Sequence, residues 1–537
     1  MEKRALFAVI LALLVLYLFQ AYFAPPEKPV IPQLEEDDGE LLPSEDISRV
    51  SEKKGESPYF SSSDASATIP EQEVRVETDF YTAVFTTRGA ALKSWVLKKY
   101  LDQLGVGGKP IEMVTSEDAN QRPLSLMLLW GKSIEALDIQ FHPDREVLDL
   151  IESRDGGEII FTGTTPDGVF VKKTLTFYPK SYLIDINIEV TPPSSLLSPK
   201  GAMINWIRKL DPDKDASNRF IFTGPAAYVN GELKEVKLKS LDDGHKSFSR
   251  QLSWVGYEDK YFFTAFFPRN GALMSADIVQ TDKNSIVINC FQKANSSGLG
   301  GKFVYSYGFY CGPKDIEILR SLGMDLEKAI DFGMFDIIAK PLLYILKYLN
   351  KATHNYGLAI IILTIIIKII FFPLTHKSYK SMKAMKDLQP KMMDLKKKYK
   401  NERERLNRET MNLYRTNKVN PLGGCLPLLV QFPIFIAFYW VLLGSIELRH
   451  APFMLWIKDL SAQDPYYITP ILMGASMFIQ QKMTPTVGDP TQAKVMLAMP
   501  IIFTFLFLKF PSGLVIYWMV NNVLQIFQQL YIDKRVS

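Results

Sequence analysis

The chain has 537 residues, several times the length of a single domain, with 22% charged residues and a formal net charge of +4. A mean hydropathy of +0.01 at that charge content means that apolar and charged residues are segregated along the chain. Only Cys290, Cys311 and Cys425 are present, without a CxxC or Cys/His spacing, which excludes a disulfide scaffold and argues against a zinc centre. Residues 25–342 hold 36 Lys+Arg against 47 Asp+Glu, a net of −11 inside a total of +4. An acidic half and a basic half therefore face different surroundings.

Ala5–Ala24 is uncharged and follows Lys3 and Arg4, which suits a signal peptide or an uncleaved anchor. Tyr22 would stand at −3 of a cut after Ala24 and Pro25 would follow it, so 1–24 is read as a transmembrane signal-anchor. Residues 25–78 are rich in Pro, Glu, Asp and Ser and read as a disordered tether. Over 79–325 the pattern turns to short alternating runs: Glu77–Thr86, Glu158–Thr164, Val169–Tyr178, Tyr182–Val190, Ser285–Phe291 and Lys302–Tyr310. With hairpin signals at Asp167-Gly168 and Asn230-Gly231, this predicts an antiparallel β-sandwich.

Phe332, Phe335, Ile338, Leu342, Leu346 and Leu349 then recur every three or four residues, with Lys340, Lys347, Asn350 and Lys351 largely off that stripe. Segment 331–350 reads as an amphipathic helix on the membrane surface, bent at Pro341, with packing onto the sandwich as the alternative. Five further apolar stretches give spans 355–374, 421–446, 465–481, 495–508 and 514–532, the last two split by Phe510-Pro511-Ser512-Gly513. Uncharged Val495–Leu508 is only about 21 Å long as a helix, short enough to thin a bilayer locally. Between the second and third spans, Met385, Leu388, Met392, Leu395 and Tyr399 step by 3 and 4, and Leu406, Thr410 and Leu413 continue after a polar break. Segment 375–420 is thus expected to be a basic helical hairpin with one apolar seam. An inside N-terminus puts 20 Lys+Arg in short inner segments and three in short outer loops (Arg449, Lys458, Lys509), so N-in/C-in is expected.

Lys368 is the sharpest single signal. It lies about 7.5 Å inside the end of its span marked by Pro373, where a cation costs at least ~2.5 kcal/mol at the bilayer centre and less if it snorkels. Thr364 shares its face one turn earlier, and Gln431, Asn521, Asn522, Gln525 and Gln528 add polar groups to other spans. No carboxylate stands at comparable depth, so the cation suits transient attraction of carboxylates brought by another molecule. There is no phosphate-binding loop, HExxH or GxSxG, and only five histidines. No catalytic residue, cofactor or metal is expected.

The runs Val419-Asn420-Pro421-Leu422-Gly423-Gly424-Cys425, Pro427–Phe435, Phe372-Pro373-Leu374-Thr375, Trp456–Ser461, Asp464-Pro465-Tyr466-Tyr467 and Phe510–Trp518 resemble the signatures of the YidC membrane protein insertase family. The likeness is dense over 330–537. The anchor, tether and β-domain resemble the Gram-negative form, implying a polytopic α-helical inner-membrane protein of six transmembrane helices with a large periplasmic supersandwich similar to galactose mutarotase folds. The resemblance further implies an insertase and folding chaperone with a positively charged groove open to cytoplasm and lipid. Lys368, where the family most often has arginine, with Thr364, Gln431, Tyr517 and Asn522, falls on or near groove positions. An ammonium keeps the potential without a bidentate fork. Implied partners are nascent membrane-protein clients, the ribosome through 375–420 and 482–494, the SecYEG and SecDF components of the Sec translocon, and membrane lipids. Only five residues follow Ile532, so the basic tail of some relatives is expected to be missing. A solute transporter built on the intramembrane lysine and a tethered sugar-acting enzyme stand as the other classes.

Overall fold

Apolar residues at every second position make the strands. Tyr81–Thr86, Phe170–Phe177 and Leu183–Thr191 each turn alternate side chains inward. A computed structural model of the chain describes residues 71–536 apart from 106, 117–121, 131–132, 138, 194–197, 211–220, 242–244, 283–284, 295–300, 400–401, 418, 420–425 and 484–489. The expected anchor, nearly all of the tether, Cys425 and residues 484–489 of the 482–494 loop lie outside the described residues. The rest divides between Ile330 and Asp331 into a sheet-rich unit and a helical unit.

The sheet-rich unit holds sheets of five, nine and six strands. Neighbours pair antiparallel, except that Glu73–Glu77 runs parallel to Val147–Asp149. That first strand begins inside the segment read as tether, because Val74 and Val76 alternate with charged residues and bury completely in the core. The expected strands are otherwise found within a few residues, among them Gly157–Thr164, Ser285–Lys293 and Phe303–Pro313. Asn230 and Gly231 both adopt positive φ, +54° and +78°, as a tight two-residue hairpin requires. The nine-stranded sheet packs against both others: Phe309 lies 6.2 Å from the Trp95 ring of the five-stranded sheet and 5.5 Å from Trp206 of the six-stranded one. Cys290 and Cys311 are buried, free thiols. A short helix α1, Ile316–Leu322, capped by the Asp315 carboxylate, follows the last strand.

The helical unit contains α2 (Asp336–Thr353), α3 (Tyr356–Ile370), α4 (Phe372–Asp387), α5 (Gln389–Lys398), α6 (Arg403–Thr416), α7 (Leu426–Gly444), α8 (Ile468–Met483), α9 (Pro490–Phe507) and α10 (Ser512–Val536). Helix α2 covers most of the segment expected to be helical, beginning at Asp336 rather than at 331. It runs as one helix through Pro341 and buries Ala339, Leu342, Leu343 and Leu346 against α3 and α7, while Ile337, Ile345 and Tyr348 stay exposed. Lys347, read as lying off the stripe, is buried too, because Glu447 after α7 supplies a counter-charge at 3.0 Å.

The span expected over 355–374 is broken. The chain bends by 62° between α3 and α4, where Pro373 in the first turn of α4 cannot donate a backbone N–H. Pro390 divides the basic segment in the same way, so the expected hairpin is three helices, and its seam closes where the Tyr414 hydroxyl meets the Met392 sulfur at 2.9 Å. Among the described residues no single helix is long and apolar enough to cross a membrane. The bent α3–α4 pair passes that test together, and Gln431–Gly444 and Met496–Phe507 are shorter apolar segments. Helix α9 is longer than its uncharged stretch, 18 residues or about 27 Å.

Candidate functional site

Helix α10 is the polar spine of the helical unit. At about 100° per residue, Asn521, Gln525 and Gln528 form one stripe and Asn522 and Gln529 another. On the first stripe, the Lys368 ammonium from the last turn of α3 donates to Gln525 Oε1, and Gln525 Nε2 donates to the Tyr379 hydroxyl of α4 at 2.7 Å. One step outward, Gln431 Nε2 of α7 donates to Asn521 Oδ1 at 2.6 Å. Tyr517, buried one turn earlier, packs 4.6 Å from the Phe438 ring, its hydroxyl toward Gln431 without closing a hydrogen bond.

The second stripe faces elsewhere. Asn522 Nδ2 approaches Ser476 Oγ of α8 at 3.3 Å, and Gln529 Nε2 donates to the Met483 carbonyl at 2.7 Å. Of the residues singled out from the sequence, Lys368, Gln431 and Tyr517 thus share the face of α10 toward α3 and α7, while Asn522 belongs to the α8 contact. Thr364 is buried on α3 and donates its hydroxyl proton back to the Ile360 carbonyl at 2.7 Å. Tyr379 and Ser476 were missed: one sits in a basic run and the other is a small residue, and only tertiary contact brings them in. Among the described residues no carboxylate pairs with Lys368. Its partner is the neutral amide of Gln525, so its charge is not cancelled.

The far end of α10 is closed by the loop 451–464. Ser512 and Gly513, whose N–H groups would otherwise be orphans at the helix start, donate to the Ala462 and Leu460 carbonyls at 2.7 and 3.0 Å, and Ser512 Oγ donates to Asp459 O. Asp464 anchors the loop by accepting from Trp456 Nε1, Tyr466 N, Thr469 N and Thr469 Oγ1 at 2.7–3.0 Å. Burial raises its carboxyl, yet the donors from Thr469, Tyr466 and Trp456 hold it below the usual carboxylate range. On α3, Asn355 caps the helix and donates to Phe453 O at 2.8 Å. Gly357 lets the Phe453 ring lie where a Cβ would meet it at 2.0 Å.

Outward faces of these helices expose Ile369, Ile370, Ile471, Ile501 and Phe505, while amides of α10 meet Lys368 and Gln431 between the helices. That is the pattern of a membrane-protein helical bundle, apolar outside and polar between its helices, joined in one chain to a sheet-rich domain. The 60Kd inner membrane protein family matches residues 348–537, and the YidC periplasmic domain family matches 73–345. The chain is 44% identical over 550 aligned residues to the membrane protein insertase YidC of Syntrophus aciditrophicus, covering 100% of both chains. It is 42% identical to that of Geotalea uraniireducens, covering 99% of both. A crystal structure of an active YidC insertase with its first transmembrane domain resolved aligns over 86% of this chain and 92% of that one, at 20% identity and a TM-score of 0.37. The chain belongs to the YidC membrane protein insertase family.

Proposed function

We propose that this protein inserts nascent membrane proteins into the bacterial inner membrane and helps them fold, without covalent chemistry. The observation that carries the reading is Lys368. It is a half-buried cation held by a neutral amide, with no paired carboxylate among the described residues, in a bundle whose outer helix faces are apolar. Such a charge attracts the acidic or polar part of a client, which crosses less hydrocarbon while its apolar span leaves sideways into lipid. Thr364, Gln431 and Tyr517 complete the polar groove, Asn522 ties its back wall to α8 through Ser476, and the 451–464 loop closes its outer end.

On this reading the chain is multi-pass and N-in/C-in, with six spans: the anchor 1–24, α3 up to its bend into α4, and α7, α8, α9 and α10. The sheet-rich unit is periplasmic. Ribosomes dock on the basic segment 375–420, where Lys396, Lys397 and Lys398 are exposed, and on the 482–494 loop, a contact that weakens with salt. The protein works alone or beside SecYEG and SecDF, with lipids against the apolar helix faces.

The test is a charge series at 368 in cells depleted of the native insertase. Lys368→Arg retains insertion of a small client with an acidic translocated tail, and Lys368→Glu loses it. The reverse order refutes the reading, and full activity of Lys368→Ala with every client reduces the lysine to a snorkelling residue.

A further inference from the structure

An ammonium can only donate, so the group that receives Lys368 must present an oxygen. That requirement fixes the amide of Gln525: Oε1 faces Lys368, and Nε2 is left to donate to Tyr379 Oη at 2.7 Å. Tyr379 is buried on α4, the first helix of the basic segment. On a straight helix, residues 368 and 379 would lie about 16 Å apart along the axis, too far for one amide to span. The reach of two long side chains, one on each side of the 62° bend between α3 and α4, brings both to Gln525. A carboxylate at 525 would have cancelled the charge, whereas the amide holds it in place and leaves it positive.

We propose that Gln525 and Tyr379 are positioning residues for the groove cation: Gln525 aims the Lys368 ammonium, and Tyr379, at the root of the basic cytoplasmic segment, aims Gln525. The inference rests on the reading of Lys368 as the client-facing charge. It adds that the placement of that charge is set by α4, so that movement of the basic segment is transmitted to the groove through two hydrogen bonds.

The experiment uses the full-length protein in proteoliposomes and two versions of one small single-span client, one with an acidic translocated tail and one with those acids changed to amides. Gln525→Leu lowers insertion of the acidic-tailed client by roughly tenfold, the scale of a lost hydrogen bond to a charged group, and lowers the neutral client much less. Tyr379→Phe, which removes only the hydroxyl, shows the same selectivity at about threefold, the scale of a neutral hydrogen bond. Lys368→Gln combined with Gln525→Lys exchanges donor and acceptor across the same pair and recovers insertion well above Gln525→Leu. Equal losses for both clients, with the exchanged pair no better than Gln525→Leu while Lys368→Ala stays selective for acidic tails, overturn the positioning role and leave the groove reading standing. Loss of selectivity in Lys368→Ala as well overturns both.

Discussion

Removing one partner of the Lys347–Glu447 pair should unfasten α2 from the bundle. The two side chains are 8% and 6% exposed with Nζ and Oε1 3.0 Å apart, and they join α2 to the turn that follows α7. Lys347→Met keeps the length of the side chain but removes the cation 3.0 Å from the buried Glu447 carboxylate, and breaking a buried pair from one side costs about 3–5 kcal/mol. Glu447→Leu breaks the same pair from the other side at a similar cost. The double variant removes both charges of the pair, and replacing a buried pair by apolar groups of similar volume is close to neutral. Its stability should therefore lie within about 1–2 kcal/mol of the parent, against a sum of the single losses several kcal/mol larger. Equilibrium unfolding of the full chain in detergent micelles, followed by tryptophan fluorescence, measures all four corners of the cycle. Single losses that add to the double within about 0.5 kcal/mol would refute the reasoning and make the pair an ornament of two independent packing contacts.

Asp464 carries four hydrogen bonds on a carboxyl held below its usual range, so the stability it contributes is present above the ordinary carboxylate pKa and is lost as pH falls through the lowered one. Asp464→Asn should cost about 2 kcal/mol at neutral pH and flatten the acid limb of a melting-temperature profile, and an unchanged acid limb would contradict this. Lys173 is fully buried in the sheet-rich unit, donating to the Ala90 and Leu124 carbonyls at 2.7 and 2.6 Å, and burial pushes its ammonium down to about 7. Between about pH 7 and its ordinary value of 10.5 the unfolded chain binds the proton and the folded chain does not. Stability of the sheet-rich unit should therefore rise from pH 7 to pH 9 in urea melts of the full chain, a slope that Lys173→Met removes. A flat parent profile would contradict it.

Local chemistry was the most legible part of the sequence. Asn230-Gly231 could be placed because only residues tolerant of positive φ fit a two-residue hairpin, and Phe170–Phe177 because period two leaves one face apolar. Even Lys173 stood in phase with the inward Val171 and Leu175, though nothing local says that two carbonyls from distant loops receive it. The pairing of strands in three sheets is set by contacts far apart in sequence, which no window of residues contains. In the helical unit, Lys368, Gln431 and Asn521 were conspicuous because polar groups in apolar helices are costly. Tyr379 was not, since its partner lies 146 residues away, and Lys347 passed for a solvated charge since its counter-ion lies 100 residues on. The end of α3 was marked in advance by Pro373, whereas the helix end at Pro390 was masked by the continuity of the basic run around it.

Photocrosslinking to a stalled client tests the central claim most directly. A photoreactive residue is placed at 364, 431 or 517 inside the bundle, or at 471 on the outward face of α8, where Ile471 is 57% exposed. The chain is then offered a ribosome-bound client halted with its polar tail at the membrane. The polar tail should be captured from 364, 431 and 517 and not from 471, and Lys368→Glu should abolish capture of an acidic tail. Capture of the tail from 471 but not from the interior positions, or capture indifferent to the charge at 368, would contradict a client-binding groove built around Lys368.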